Sequence, residues 1–189
     1  MPITLNDTTI TGLAAGGLPA NVITATNMYS GSVLQVVQTI KKDTFTGGGD
    51  ATTFYPITGF TATITPQFST SKILIIANMA LGSGYWEVQG NLLKNGANVT
   101  ASQGTARGSR LPVSFSVNQY FGGTFGYNFL DTNYLYLDSP ATTSAVSYGI
   151  SLNGYSTFAV YLNRTGYDLD TADYYGCPSS TITAMEIKA

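Results

Sequence analysis

The chain has 189 residues, of which 43% are hydrophobic and only 10% charged, and its formal net charge is −2. A chain of this length and hydrophobic content can bury a substantial core, which argues against disorder. Its eight cations are scattered, so the clustered basic surface that nucleic-acid binding requires is missing. Thr, Ser, Asn, Gly and Tyr replace the missing charge, a composition that favours β-strands and turns over surface helices.

Residues 1–31 differ in pattern from the rest of the chain. No cation precedes Lys41, so the positively charged n-region of a secretory signal is not expected here. Apolar side chains are spaced along a glycine-rich stretch, which predicts an extended arm that attaches to a partner surface; a disordered tail is the alternative. The apolar residues of this predicted attachment arm are Ile10, Leu13, Leu18, Val22, Ile23 and Met28.

From Ser32 onward, short β-like runs alternate with turn residues. In chain order the runs are VLQVVQTI, FTATIT, KILIIANMAL, GYWEVQGNLL, ANVTAS, LPVSFSV, NYLYLDSP, AVSYGISL, TFAVYLN and STITAMEIKA. The third run is almost continuously apolar, which predicts a central strand covered on both faces. Asn95-Gly96 predicts a two-residue hairpin. The longest apolar run begins at Ile73 and has about half of the ~20 residues that a membrane span needs, so no membrane insertion is expected.

Nine or ten short strands with regular turn signals predict an all-β protein. We expect a jelly-roll-like antiparallel β-sandwich over residues 32–189, preceded by the extended N-terminal arm of residues 1–31. Long surface loops are expected at 46–50 and 100–110. Tyrosines on strands are expected to fill the core or a subunit interface, with contact to a ligand as the alternative.

The residue types that most hydrolytic and acid–base sites use are scarce. The chain has no histidine and a single cysteine, Cys177, so a Ser–His–Asp triad and a His-activated thiol are both excluded. A lone cysteine also excludes an intrachain disulfide. We therefore predict that the protein is not an enzyme and that Cys177 is buried or inert, with an intermolecular or reactive role as the alternative.

The stretch YDLDTADYY at 167–175 concentrates carboxylates and aromatic rings in one predicted loop. Its candidate ligand residues are Asp168, Asp170, Asp173, Tyr174 and Tyr175. Alternate carboxylates can bind Ca²⁺, but the glycine and distal glutamate of a calcium loop are missing. Arg164 lies close enough in sequence to neutralise part of the cluster. A solvated loop is the favoured interpretation, and no metal or other cofactor is predicted.

Several stretches resemble structural proteins of tailed bacteriophages, especially those of cyanobacteria and marine bacteria. The opening ITGLAAGGLPANVITATNMYSGSVLQVVQ is similar to the segment that leads into the terminal domain of tail-fibre-like proteins. FSTSKILI, YLDSPATTSAVSYGI and SSTITAMEI are similar to strands of that domain. The resemblance implies a sandwich like those of jelly-roll or tumour-necrosis-factor-like domains, and a homotrimer on the virion.

Two virion roles follow from this resemblance. In the first, the protein is a trimeric capsid cement or decoration protein that binds the major capsid protein, or another virion protein, through its arm. In the alternative, it is the receptor-binding tip of a tail fibre that recognises a host surface glycan through loops such as 100–110 or 167–175. Either role predicts synthesis in the host cytoplasm and a place on the virion surface.

Overall fold

The computed structural model of the chain describes residues 24–48, 50, 52–118, 126, 128–154, 156–171 and 175–189. Within these residues the protein is all-β, and its helical segments are two short 3-10 turns, Ala25–Asn27 and Thr100–Ser102. The strands are β1 (Val33–Lys41), β2 (Phe45–Gly47), β3 (Tyr55–Ile64), β4 (Lys72–Ser83), β5 (Glu87–Lys94), β6 (Ala97–Asn98), β7 (Phe115–Asn118), β8 (Leu130–Asp138), β9 (Val146–Gly154), β10 (Val160–Leu162) and β11 (Ser180–Ile187).

The strands form two antiparallel sheets. In sheet A, β11 lies between β1 and β4, and β8 lies on the other edge of β4. Beyond the first residue of β11, β10 pairs with the same edge of β4, and β2 pairs with β10. In sheet B, β9 lies between β3 and β5, while β6 and β7 share the far edge of β5. The pairs are therefore nested along the chain, each enclosing the previous one, and they alternate between the sheets. From the middle of the chain outwards they are β5–β7, β4–β8, β3–β9 and β1–β11.

The two sheets enclose a hydrophobic core in a sandwich-like arrangement. Strand side chains alternate between faces, so Ile73 and Ile75 of β4 point inwards and are fully buried. From sheet B, Phe60, Tyr148 and Leu152 fill the same core. Each buried side chain of this size contributes about 1.5–3 kcal/mol to folding. The all-β prediction is confirmed, and Tyr148 is one of the strand tyrosines that lie in the core.

Local signals in the sequence predicted some elements well and others poorly. Asn95 and Gly96 both have positive φ (51° and 81°), as a tight hairpin turn requires, so that prediction is confirmed. The predicted strand ANVTAS is wrong in length, because only Ala97–Asn98 pairs before a 3-10 turn begins. Strand β3 begins five residues before the predicted run, since a register irregularity between Pro56 and Thr61 interrupts the alternation.

A buried carboxylate holds the end of β11. Glu186 is fully buried on the inner side of sheet A, directly opposite Gln35 of β1. Gln35 Nε2 donates a hydrogen bond to Oε2 (2.6 Å), and the backbone N–H groups of Gln67 (2.8 Å) and Phe68 (3.4 Å) donate to Oε1. Burial by itself would raise the pKa of Glu186, but these donors outweigh it and hold the pKa below its usual value. The ionised side chain thus joins β1, β11 and the β3–β4 connection.

A second polar group connects the two sheets. Asp138, at the end of β8 in sheet A, is buried and accepts hydrogen bonds from two side chains of sheet B. These donors are Lys94 Nζ (3.0 Å) and the Tyr148 hydroxyl (2.7 Å). Burial and the bond to Asp138 raise the pKa of Tyr148, so its hydroxyl remains a donor. Asp138, Lys94 and Tyr148 thus join sheet A to sheet B at one end of the sandwich.

Asn163 closes the gap beside β4 between the last residue of β10 and the first residue of β11. Its side chain is buried, and Nδ2 donates to the carbonyl groups of Lys41 (2.8 Å) and Asp43 (2.9 Å). Its Oδ1 accepts from the Ser180 hydroxyl (2.6 Å), and its backbone has φ of 60°. Asparagine tolerates this left-handed conformation better than most residues. The Asn163 side chain thus bonds the backbone at the end of β1 and in the connection to β2.

Replacing Glu186 by Gln tests the buried carboxylate. Because hydrogen bonds to a charged group are the stronger kind, we expect the free energy of unfolding to fall by about 1–3 kcal/mol near pH 7. The pKa is lowered in the folded state, so this stabilisation is present above the unfolded-state pKa of about 4.3 and is lost as the pH falls through the folded-state value. In urea unfolding, the difference between wild type and Glu186→Gln should therefore shrink in acid.

The chain's only other glutamate supplies a matched control for this experiment. Glu87 is half-buried on the outward side of sheet B, where the Ser116 hydroxyl donates to it. Glu87→Gln should change the free energy of unfolding by less than Glu186→Gln. A Glu186→Gln effect that is independent of pH would contradict an ionised carboxylate.

A double-mutant cycle tests the group that connects the sheets. We expect Asp138→Asn and Tyr148→Phe each to lower the free energy of unfolding, with a coupling of about 0.5–3 kcal/mol because the two side chains share a hydrogen bond. Asp131→Asn combined with Tyr148→Phe is the control cycle and should be additive, because Asp131 is exposed on the outward side of β8. Additivity in both cycles would show that the contact does not stabilise the fold.

Candidate interaction surfaces

The outward side of sheet A carries one row of apolar side chains followed by two rows of mixed apolar and uncharged polar side chains. Directly paired residues on antiparallel strands point to the same side of a sheet, so the register defines each row. The first row, across β1, β11, β4 and β8, is Val36, Met185, Leu74 and Leu137. The second row is Gln38, Thr183, Ile76 and Leu135, and the third is Ile40, Thr181, Asn78 and Asn133. We call these three rows the sheet A face.

The sheet A face is exposed and uncharged. The exposed fractions of Val36, Leu135 and Leu137 are 54%, 59% and 47%. The three rows contain no charged side chain; Lys72 and Asp131 lie just beyond the first and third rows, at opposite ends of the face. A contiguous, exposed apolar surface of this kind is typical of a site of protein association.

The sequence pattern of β4 predicted a central strand covered on both faces. The central position is confirmed, since β4 pairs on both edges. Its inward residues Ile73 and Ile75 are fully buried, but Leu74 and Ile76 on the outward face are only half-buried. The described part of a single chain therefore covers one face of β4 as far as Asn78 and both faces from Met79 to Ser83. No local signal could identify the rest of the surface, because strands distant in the chain form each row.

The predicted attachment arm lies mostly outside the described residues. Ile10, Leu13, Leu18, Val22 and Ile23 fall in the part of the chain that is not described, and Met28 is half-buried.

The base of the arm contacts the end of β11 through Lys188. Lys188 Nζ donates to the carbonyl groups of Thr26 (2.6 Å) and Met28 (2.6 Å). The backbone groups of Lys188 bond Gly31 N (2.7 Å) and the Ser32 carbonyl (2.9 Å). Residues 26–32 are thereby held where β1 begins and β11 ends.

The structure places two of the predicted loop carboxylates in solvent. Asp168 and Asp170 are exposed, and Arg164 Nε lies 3.3 Å from Asp168 Oδ2, which confirms that Arg164 neutralises part of the cluster. Arg164 also lies 4.7 Å from the ring centre of Tyr161. Tyr175 is half-buried, while Asp173 and Tyr174 lie outside the described residues. Among the residues described, no three acidic or cysteine side chains form a group that could hold a metal ion.

Cys177 is exposed, so the expectation of a buried side chain is wrong. It lies in the extended segment 175–179, between the loop that follows β10 and the first residue of β11, where no neighbouring strand covers it. Sequence composition could not reveal this position, because burial depends on where the segment lies relative to the sheets.

Comparison of the chain with protein-family models and with curated proteins finds no match. In the described part of the chain, no helix has the length and apolar character needed to span a bilayer.

Proposed function

We propose that the chain is a non-enzymatic structural protein of a phage virion, a homotrimer that decorates the capsid and attaches through its N-terminal arm. The observation that carries this proposal is the sheet A face, an apolar and uncharged surface that one chain leaves exposed. The partner of the arm is the major capsid protein or another virion protein. The proposed location is the virion surface, reached after synthesis in the host cytoplasm.

The jelly-roll-like description of the fold is part of this proposal. Its support is the nesting of β5–β7, β4–β8, β3–β9 and β1–β11, with successive pairs placed in alternate sheets. A long antiparallel hairpin that is rolled over itself produces this order of strands, and eight strands in two sheets are the usual jelly-roll number. The short strands β2, β6 and β10 are additions to the edges of this arrangement.

Copies of the same chain are the occupants that we assign to the sheet A face. Leu74 and Ile76 give β4 an apolar outward side, a pattern typical of strands that are buried on both faces. A closed symmetric oligomer covers the same surface on every copy. The face also lacks the charged side chains that would select an oppositely charged partner, and obligate interfaces are similarly apolar. The choice of three copies rests on the resemblance to phage proteins.

The contacts at Lys188 support the proposed role of the arm. They hold residues 26–32, the base of the arm, against the end of β11. An arm with a fixed base can reach a neighbouring surface while the domain stays folded.

The alternative role, recognition of a host surface glycan at the tip of a tail fibre, is supported by a polar cleft on sheet B. This cleft lies on the side of the sandwich opposite the sheet A face, so self-association through sheet A would leave it open. Immunogold labelling of particles of the phage that encodes the chain separates the two roles. Label on the head supports decoration, and label confined to the tail supports the fibre tip.

Replacing Leu135 by Glu tests self-association through the sheet A face. We expect the wild-type protein to have three times the chain mass of 20.0 kDa in light scattering after size-exclusion chromatography. Leu135→Glu should have the mass of one chain, because three buried carboxylates would face the shared interface without partners. Leu135 is 59% exposed in the single chain, so the domain itself should stay folded.

The matched control for this substitution is Thr63→Glu. Thr63 is exposed on the outward side of β3, the edge strand of sheet B, as Leu135 is on the edge strand of sheet A. This variant should keep the trimer mass. A monomeric wild type would reject self-association, and a trimeric Leu135→Glu would place the interface elsewhere.

Deleting residues 1–23 tests the arm and leaves the contacts at Lys188 intact. We expect the shortened protein to remain a folded trimer, because the sandwich and the sheet A face are retained. It should no longer sediment with particles that bind the full chain. If it still binds, the arm is not the attachment segment; if it loses the trimer mass, residues 1–23 take part in covering the sheet A face.

A further inference from the structure

The outward side of sheet B contains a polar cleft of about 690 Å³, roughly the size of a small-molecule site. The connection from Gln103 to Ser114 forms one wall, and the ends of β5 and β9 form the other. The residues that line this cleft include Glu87, Gln89, Ser109, Arg110, Leu111 and Ser156.

Hydrogen bonds fix the wall formed by the connection. Asn91 is buried, and its Oδ1 accepts from Gln103 Nε2 (2.9 Å) and from the backbone N–H of Ser114 (3.2 Å). Gly104 N donates to the Val113 carbonyl (3.0 Å), which closes the base of the connection. Because both ends are bonded to β5 or to each other, the cleft is present before any ligand arrives.

Polar side chains from both walls line the cleft. Gln89 points outwards, since its neighbour Val88 is in the core, and its Oε1 is buried with no hydrogen-bond donor among the described residues. Buried acceptors of this kind are rare and need an explanation such as a bound water or ligand. The Glu87 carboxylate accepts a hydrogen bond from Ser116, and neither this carboxylate nor the Arg110 guanidinium on the opposite wall belongs to any of the ion pairs of the described residues.

We propose that this cleft binds a neutral saccharide of one or two rings. Sugar hydroxyls both donate and accept, so one ligand can donate to Glu87, accept from Arg110 and bond the Gln89 side chain once that side chain rotates to bring Oε1 into the cleft. Leu111 offers an apolar surface to a ring face. Glu87 opposes an anionic ligand such as a phosphate, and the charged groups of Glu87 and Arg110 oppose a purely apolar one. The inference does not depend on where the protein lies on a particle or on its number of copies.

The test is saturation-transfer NMR on the full-length protein with glucose, galactose, mannose, N-acetylglucosamine, cellobiose and lactose as separate probes. We expect transfer to the ring protons of at least one sugar. Gln89→Leu should weaken binding of that sugar by about tenfold, the effect of one lost hydrogen bond in a site that excludes water. Its thermal stability should be unchanged or higher, because the substitution removes a buried acceptor that has no donor.

Gln67→Leu is the matched control, since the Gln67 side chain is exposed and its backbone N–H still reaches Glu186. It should bind the sugar as the wild type does. Arg110→Gln, at an exposed position, provides a second variant that should weaken binding without loss of fold. The proposal is overturned if no probe shows transfer, or if Gln89→Leu and Arg110→Gln both bind with wild-type affinity.

Discussion

The buried carboxylate of Glu186 is the constraint on which the arrangement of sheet A depends. An ionised group away from water needs donors in fixed positions, and these come from Gln35 and from the backbone of the β3–β4 connection. If β11 shifted by one residue, Glu186 would turn outwards and the whole strand would present its other side. The register that buries Glu186 is therefore also the one that places Met185 on the sheet A face.

The two layers have opposite characters on their outward sides. Sheet A presents apolar residues such as Val36 and Leu137, while sheet B presents amides and hydroxyls such as those of Gln89 and Ser116. An apolar face gains most from permanent burial, whereas polar groups that water can also bond suit reversible contacts. Asp138 and its partners join the layers across the core. The two outward surfaces thus lie on opposite sides of the sandwich and differ in polarity.

Parts of the fold that depend on neighbours in the chain were predictable. The alternation in β3, the apolar run of β4 and the Asn95-Gly96 turn each act over a few residues, and each predicted its element. Strand β2 has only three residues, too few to show a period, and it was missed. For the predicted loop at 167–175, the nearness of Arg164 in the sequence indicated that it neutralises part of the carboxylate cluster, and it lies 3.3 Å from Asp168. The exposure of Cys177 had no such local signal.

Composition and local pattern determined that this chain is an all-β protein with short strands, tight turns and no histidine-based chemistry. These properties depend on residue types and on interactions within a few positions. Only the tertiary structure decided that β11 lies between β1 and β4, and that the apolar outward residues of four strands form one surface. It also decided that Gln89 and Arg110 line one cleft. Such juxtapositions join residues far apart in the chain, and the pairing of strands depends on burial of the whole core, which no local pattern encodes.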